Sequence, residues 1–313
     1  MSKKMNRRRF AFGAALGATM ASAKGMPSLP QAGAQETPIT ARQQVPVGEI
    51  AGMKMGRMLL GGNLLTHYTH SRDLRYVYTL AAHYNTSEKI FETLRIAEAH
   101  GITGVVIHTA AGVIDGMKEY KRQGGKIQWI VCPTAPINDE MREYTQQCQE
   151  CIDAGVDSFY LWGVHADALV GRPDLMKKAV QTMRSFGVPT GVGAHEIEVV
   201  EVCESERIRH DFYIKTLHHH NYPTANLNYD SSWCRDPQRV IDVMAKVEKP
   251  WISYKIMAAG AIPPRDALEY VFTNGADFTL MGMFDYEIDE DTRLLNEVLE
   301  MENVKSRARK WFV

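Results

Sequence analysis

A single α/β barrel of eight parallel strands, (β/α)8, is the fold this chain predicts, and three observations predict it. Strand-like and helix-like stretches alternate eight times over roughly 250 residues. Glycines punctuate the returns from helix to strand at Gly101, Gly125, Gly155, Gly187 and Gly275. Residues able to do chemistry load one end of the strand-like runs and leave the other end bare.

The strand-like runs are 57–64, 104–109, 127–133, 158–162, 189–195, 211–217, 251–259 and 277–283. Each is followed by an amphipathic run at helical spacing, as in 87–100, where Ile90, Leu94 and Ala97 share a face, and 237–247, with Val240, Ile241 and Met244. Capping chemistry opens several of these: Thr86 or Ser87 before Glu88, Asn138 before Asp139, and Asp236 before Pro237. An open doubly wound sheet competes with the barrel, but such a sheet usually carries a phosphate-binding glycine fingerprint after its first strand. Leu60-Gly61-Gly62-Asn63 is not one.

The chain has 313 residues, 45% apolar and 23% charged, with a formal net charge of −1. That balance suits a globular protein and argues against a nucleic-acid surface, since no basic run occurs outside the N-terminus. Residues 5–10, MNRRRF, precede a short apolar stretch, 11–23, that ends in Ala-Ser-Ala. A charged start, a short apolar core and small residues at the end make a secretory signal peptide, and the arginine pair resembles the twin-arginine class. The expected organisation is therefore a twin-arginine signal peptide at 1–23, a flexible tether at 24–55, the barrel at 56–300 and a C-terminal tail at 301–313. The resemblance implies a periplasmic or otherwise exported protein that partners the twin-arginine machinery and crosses folded, often with a cofactor bound. The apolar stretch falls short of the ~20 residues a spanning helix needs, so no stable membrane span is expected after cleavage.

Five cysteines, Cys132, Cys148, Cys151, Cys203 and Cys234, leave at least one unpaired. Cys148 and Cys151 have CxxC spacing inside a helical-looking stretch, which reads as structural rather than as a zinc or redox pair.

The strand ends expected at the barrel mouth carry Asn63, His108, Cys132, His165, His195, Lys215, His218, His219, Lys255 and Asp285. If Phe212 and Ile214, and likewise Ile252, Tyr254 and Ile256, face the helices, period-2 alternation turns Lys215 and Lys255 into the barrel. Two ammonium groups there would repel and be poorly solvated, lowering their pKa values towards neutrality. The alternative is that each lysine pairs with a carboxylate. His195 and His219 are candidate proton shuttles, and Asn63 and His108 candidate ligands of substrate oxygens. Two long loops, 66–86 and 218–235, mix aromatic and polar groups, so Tyr222, Trp233 and the strand-end Trp162 are candidate contacts to a sugar-like substrate. No cofactor motif is present. His165, His195, His218 and Glu196 are nonetheless candidate ligands for Zn²⁺ or Mn²⁺, coming from separate strand ends without a spacing motif.

The run DFYIKT at 211–216, and Ala258-Ala259-Gly260-Ala261-Ile262 after the seventh strand, resemble the Schiff-base strand and the next strand of the deoxyribose-phosphate aldolase family. That resemblance implies Lys215 as the carbinolamine-forming lysine and Lys255 as its pKa-lowering neighbour. Two departures stand out: Lys255 lies five residues before Gly260, where the family's lysine is closer, and Ala261 replaces a glycine. The whole barrel also resembles exported TIM-barrel proteins with a twin-arginine leader. The expected activity is a periplasmic lyase or isomerase acting on a small carbonyl or sugar-derived compound. A metal-dependent sugar isomerase, epimerase or hydrolase and a non-catalytic carbohydrate-binding barrel are the alternatives.

Overall fold

The structure, a computed structural model, describes residue 41, residues 43–225 and residues 234–312. The residues expected to form a signal peptide, 1–23, and Trp233 lie outside the described residues.

Two short antiparallel strands, β1 (Val47–Ile50) and β2 (Met53–Gly56), come first, then β3 (Met58–Gly61), α1 (Arg75–Tyr84) and α2 (Ser87–Ala99). The alternation continues with β4 (Gly104–His108), α3 (Val113–Arg122), β5 (Gln128–Cys132), α4 (Arg142–Asp153), β6 (Ser158–Leu161), α5 (Gly163–Ala168) and α6 (Pro173–Arg184). It ends with β7 (Thr190–Ala194), α7 (Ile197–Ser205), β8 (Phe212–Thr216), α8 (Pro237–Met244), β9 (Trp251–Tyr254), α9 (Pro264–Thr273), β10 (Phe278–Met281), α10 (Ile288–Leu299) and α11 (Glu302–Lys305). Strands β3 to β10 pair in parallel, and β10 returns to β3 through Thr279↔Met58, Leu280↔Leu59 and Met281↔Leu60. This is a closed (β/α)8 TIM barrel, and all eight expected strands are in place.

Helix starts follow the sequence chemistry unevenly. The Thr86 hydroxyl accepts from Lys89 N at the head of α2, and the Asp236 carboxylate from Arg239 N at the head of α8. Each such cap stabilises its helix by about 1 kcal/mol. Asn138 instead accepts from Glu140 N and Met141 N, so it fixes a turn ahead of α4 rather than the helix itself. The CxxC cysteines lie buried on α4; all five cysteines are free, and burial pushes the Cys148 and Cys151 thiols up to about 12.

Two apolar layers divide the strand side chains. Leu59, Val106, Ile130, Cys132, Tyr160, Phe212, Ile214, Ile252 and Phe278 fill the inside of the barrel. Their neighbours of opposite parity, such as Tyr213 and Trp251, pack in the layer between strands and helices. Burying a side chain such as Phe212 or Ile252 is worth roughly 1.5–3 kcal/mol. Gly191 faces inward because a Cβ there would come within 2.3 Å of the Phe212 ring.

The β1–β2 hairpin contributes Ile50 and Met55 to the interior cluster, so residues 47–55, expected in the tether, form part of the barrel body. The expected tail is also built in. Buried Arg307 and Arg309 clasp Asp277 at 2.9 and 2.6 Å, and Trp311 lies under the Arg57 guanidinium at 4.4 Å. No helix among the described residues is long and apolar enough to cross a membrane.

Candidate active site

Strand parity fixes which groups reach the mouth. Phe212 and Ile214 belong to the interior cluster, so Lys215, one residue on, turns towards the helical layer. The expected inward aim of Lys215 is therefore corrected. A parallel barrel strand is apolar on both faces, so its apolar positions alone do not say which face is inside. Lys215 is fully buried, and its ammonium donates to the carbonyls of His195 (2.7 Å) and Thr216 (3.0 Å). Burial pulls its pKa down to about 8, against weaker support from Cys234, Asp167, Glu196 and Glu198. It forms no ion pair with a carboxylate among the described residues, and it holds the backbone beneath His195.

Lys255 reaches the mouth by a different route. Ile252 and Tyr254 face inward, which would send Lys255 outward, but β9 ends at Tyr254 and Lys255 takes a left-handed backbone (φ 58°). A non-glycine residue there costs roughly 1–2 kcal/mol. Its ammonium meets His70 Nε2 at 3.1 Å and sits 5.9 Å from the Tyr254 ring centre. Burial lowers its pKa to about 8, with Asp167 opposing.

Around this amine stand neutral rings. Burial, then the charge of Lys255, then His195 and His108, take His70 down to about 3. Its Nε2 therefore accepts from Lys255, which leaves the ring proton on Nδ1. Tyr68 packs edge-on against both His70 (5.4 Å) and His108 (5.8 Å), and burial also lowers the His108 pKa. His195 follows β7; its Nδ1 donates to Asp167 Oδ2 at 2.6 Å, while Asp167 Oδ1 accepts from His195 N and Glu196 N. Burial lowers the His195 pKa, the Asp167 hydrogen bond opposes, and Lys255 and Lys215 add to the lowering. Gly163 makes room: a Cβ there would lie 2.8 Å from His195 Cε1 and 2.9 Å from the Tyr254 hydroxyl. Burial raises the pKa of that hydroxyl well above the phenol value, with the neighbouring Thr216 hydroxyl opposing.

Lys255, His108, His195 and the strand-end Trp162 thus gather at the mouth with His70, Tyr68, Tyr254 and Asp167, four residues not singled out as site residues from the sequence. Other expected groups sit elsewhere. His219 pairs with Asp266 of α9 at 3.3 Å and packs edge-on against Tyr270. His218 accepts from Cys234 N at 3.0 Å, and Tyr222 lies near both histidines, with ring centres 6.4 and 6.3 Å away. His165 packs edge-on against Trp162, Glu196 pairs with Arg235 at 3.4 Å, and Asp285 takes Tyr84 and Lys89 at the rim. Asn63 is half-buried in the turn after β3, its carbonyl accepting from Tyr68 N. The expected metal set of His165, His195, His218 and Glu196 is not gathered, and no three His, Cys, Asp or Glu side chains converge as a metal-binding group among the described residues.

No protein-family model and no curated protein matches the chain. Solved structures do. One, described as a proposed aldo-keto reductase from Pseudomonas aeruginosa, is 14% identical with a TM-score of 0.58, over 83% of this chain and 98% of that one. Another, Gox0644 in its apo form, is 13% identical with a TM-score of 0.56, over 84% of this chain and 92% of that one. A variant of Gox0644 in complex with NADPH gives a TM-score of 0.52 at 13% identity, with the same coverage. At such identity the likeness establishes the fold alone. The expected lyase or isomerase activity is contradicted by these neighbours: two from Pseudomonas are described as proposed aldo-keto reductases, and the Gox0644 variant was solved with NADPH. The lysine expected as the Schiff-base nucleophile, meanwhile, faces away from the barrel interior.

Proposed function

We propose that this barrel is an oxidoreductase interconverting a small, sugar-derived carbonyl compound and its alcohol, with a nicotinamide dinucleotide as hydride carrier. The observation that carries the reading is the donor set at the mouth: the Lys255 ammonium, the Tyr254 hydroxyl and the imidazoles of His70 and His108. Such a set stabilises negative charge as it develops on a carbonyl oxygen. The Asp167 carboxylate, which would oppose that charge, is already engaged by His195 and two backbone amides. An N-terminus resembling a twin-arginine leader would, by that resemblance, carry the chain out already folded, with a bound dinucleotide in place.

The residues fit the two halves of the dinucleotide differently. The mouth, walled by Trp162 and neutral imidazoles, accepts a flat ring. The rim after β9 and β10, where barrels commonly hold phosphate, does not suit one. Helix α9 opens with Pro263 and Pro264, which lack N–H donors, and α10 carries Asp289, Glu290 and Asp291 in its first turn.

When bound, the dinucleotide supplies a hydride to the carbonyl carbon. Lys255, largely protonated at neutral pH with a pKa of about 8, delivers the proton to the oxygen, while the Tyr254 hydroxyl orients that oxygen. His70 holds the ammonium in place. In the oxidative direction Lys255, in its neutral form, takes that proton back, while His195, with Nδ1 tied to Asp167, offers Nε2 as a hydrogen-bond acceptor to the substrate hydroxyl.

Two measurements test the reading. Acid extracts of purified protein should contain a nicotinamide dinucleotide, or the protein should oxidise NADPH or NADH with a panel of aldehydes and ketoses. Failure of both would remove it.

A further inference from the structure

An open depression of about 460 Å³ lies on the loop between β3 and α1; Thr69, His70, Ser71 and Arg72 line its half-buried floor, and Arg75 and Tyr78 its exposed edge. The depression shares His70 with the mouth, and His70 is the residue that touches Lys255.

Its charge is unspent. Arg72 and Arg75 form no ion pair among the described residues, a state they share with Arg57, Arg95, Arg207 and Arg209, whereas Arg122, Arg172, Arg184, Arg239, Arg265 and Arg293 are paired. Arg72 is half-buried with a left-handed backbone (φ 51°), and its Nε is buried without a hydrogen-bond partner. Its guanidinium makes one weak donation, to the Thr224 hydroxyl at 3.3 Å. Leaving a buried donor unsatisfied is unfavourable, and more so when the group is charged. A guanidinium held in a strained turn with an idle donor, beside a second free arginine and two hydroxyls, matches the fork geometry of a phosphate.

We infer that Arg72 and Arg75, with Thr69 and Ser71, form an anion pocket that takes a phosphate group, and that the dinucleotide's phosphate docks here and not at the acidic rim after β10. Assigning the phosphate to a dinucleotide rests on the proposed function; the pocket's preference for phosphate does not. An anion there lies one residue from the Lys255–His70 pair, so a single ligand spans pocket and mouth.

Calorimetric titration of the full chain with inorganic phosphate, and separately with NADPH, tests this in wild type, Arg72→Gln and Arg75→Gln. Arg142→Gln, which removes an exposed arginine paired with Glu140, serves as the equal-charge control. Melting curves of each variant report on folding. Both ligands are expected to bind at least tenfold more weakly to Arg72→Gln and Arg75→Gln, and unchanged to Arg142→Gln. Phosphate binding without NADPH binding in wild type would overturn the dinucleotide and keep the pocket. NADPH binding equally to all four proteins would keep the dinucleotide and overturn the pocket, and wild type that binds neither would overturn both.

Discussion

Lys215 allows a quantitative test of how its surroundings hold a charge. Its ammonium is fully buried and bonded to two backbone carbonyls, with a pKa displaced from 10.5 to about 8. At about 1.4 kcal/mol per tenfold change in the protonation equilibrium, keeping it charged in the fold costs roughly 3 kcal/mol at pH 7. The sign follows from proton counting. Between about pH 8 and 10.5 the unfolded chain holds the proton and the folded chain does not, so stability gained from this group rises with pH. The destabilisation is complete below the folded value and gone above the unfolded one. Replacing Lys215 with methionine removes both the cost and its pH dependence, while stranding two carbonyls. The stability difference between Lys215→Met and wild type should therefore shift by about 2 kcal/mol in favour of wild type between pH 7 and pH 9.5. Urea denaturation at both pH values measures it, and contributions from other groups, including Lys255, largely cancel in the difference. A difference that stays flat across that range would refute the buried, weakened ammonium.

Four further outcomes follow from the geometry. Asp277 accepts from Arg307, Arg309, Trp251 N and Phe312 N, so Asp277→Asn, which strands two buried guanidinium groups, should lose roughly 3–5 kcal/mol in chemical denaturation. A loss under ~1 kcal/mol would mean the tail is not a structural clasp. Lys255→Met should raise the His70 pKa from about 3, though burial keeps it below 6.5, as read from its imidazole proton resonances. The same variant should lower carbonyl reduction at least a hundredfold if Lys255 is the proton donor. Gly163→Ala should lower turnover and cost roughly 1–3 kcal/mol of stability, because the added methyl would crowd His195 and the Tyr254 hydroxyl; an unaltered turnover in the folded variant would place the chemistry elsewhere.

The barrel was legible because its signal is repeated. Periodicity switched between strand and helix eight times, and a mistake at one boundary left the count intact. The seventh strand, read as 251–259, stops at Tyr254 because Lys255, Ala258 and Ala259 all take left-handed backbone, a conformation that alanine gives no cue for. The floor hairpin was absorbed into the tether because its few apolar residues, such as Ile50 and Met55, form no long pattern. Cluster membership at the mouth was half legible. His108, His195 and Lys255 stand at strand ends, where chemistry is expected, whereas Asp167 and His70 arrive from a helix and a loop, where spacing carries no rule.

Facing was the real obstacle, and the resolving clue was in the fifth barrel strand all along. In β7 the residues Gly191 and Gly193 share parity with His195. A glycine at a core position marks a place where something else needs the volume, and here the Phe212 ring occupies it. That places Phe212 inside the barrel, which sends Lys215 outside, against the choice that apolar alternation alone suggested. The aldolase-like strand therefore keeps its lysine but presents it to the helical layer. Lys255 escapes the same parity only because its strand ends one residue earlier, with a left-handed turn that swings the amine back over the mouth. Chemistry at this site depends on that break in regularity: straighten the turn at Lys255, and the remaining ring of imidazoles would lose its cation.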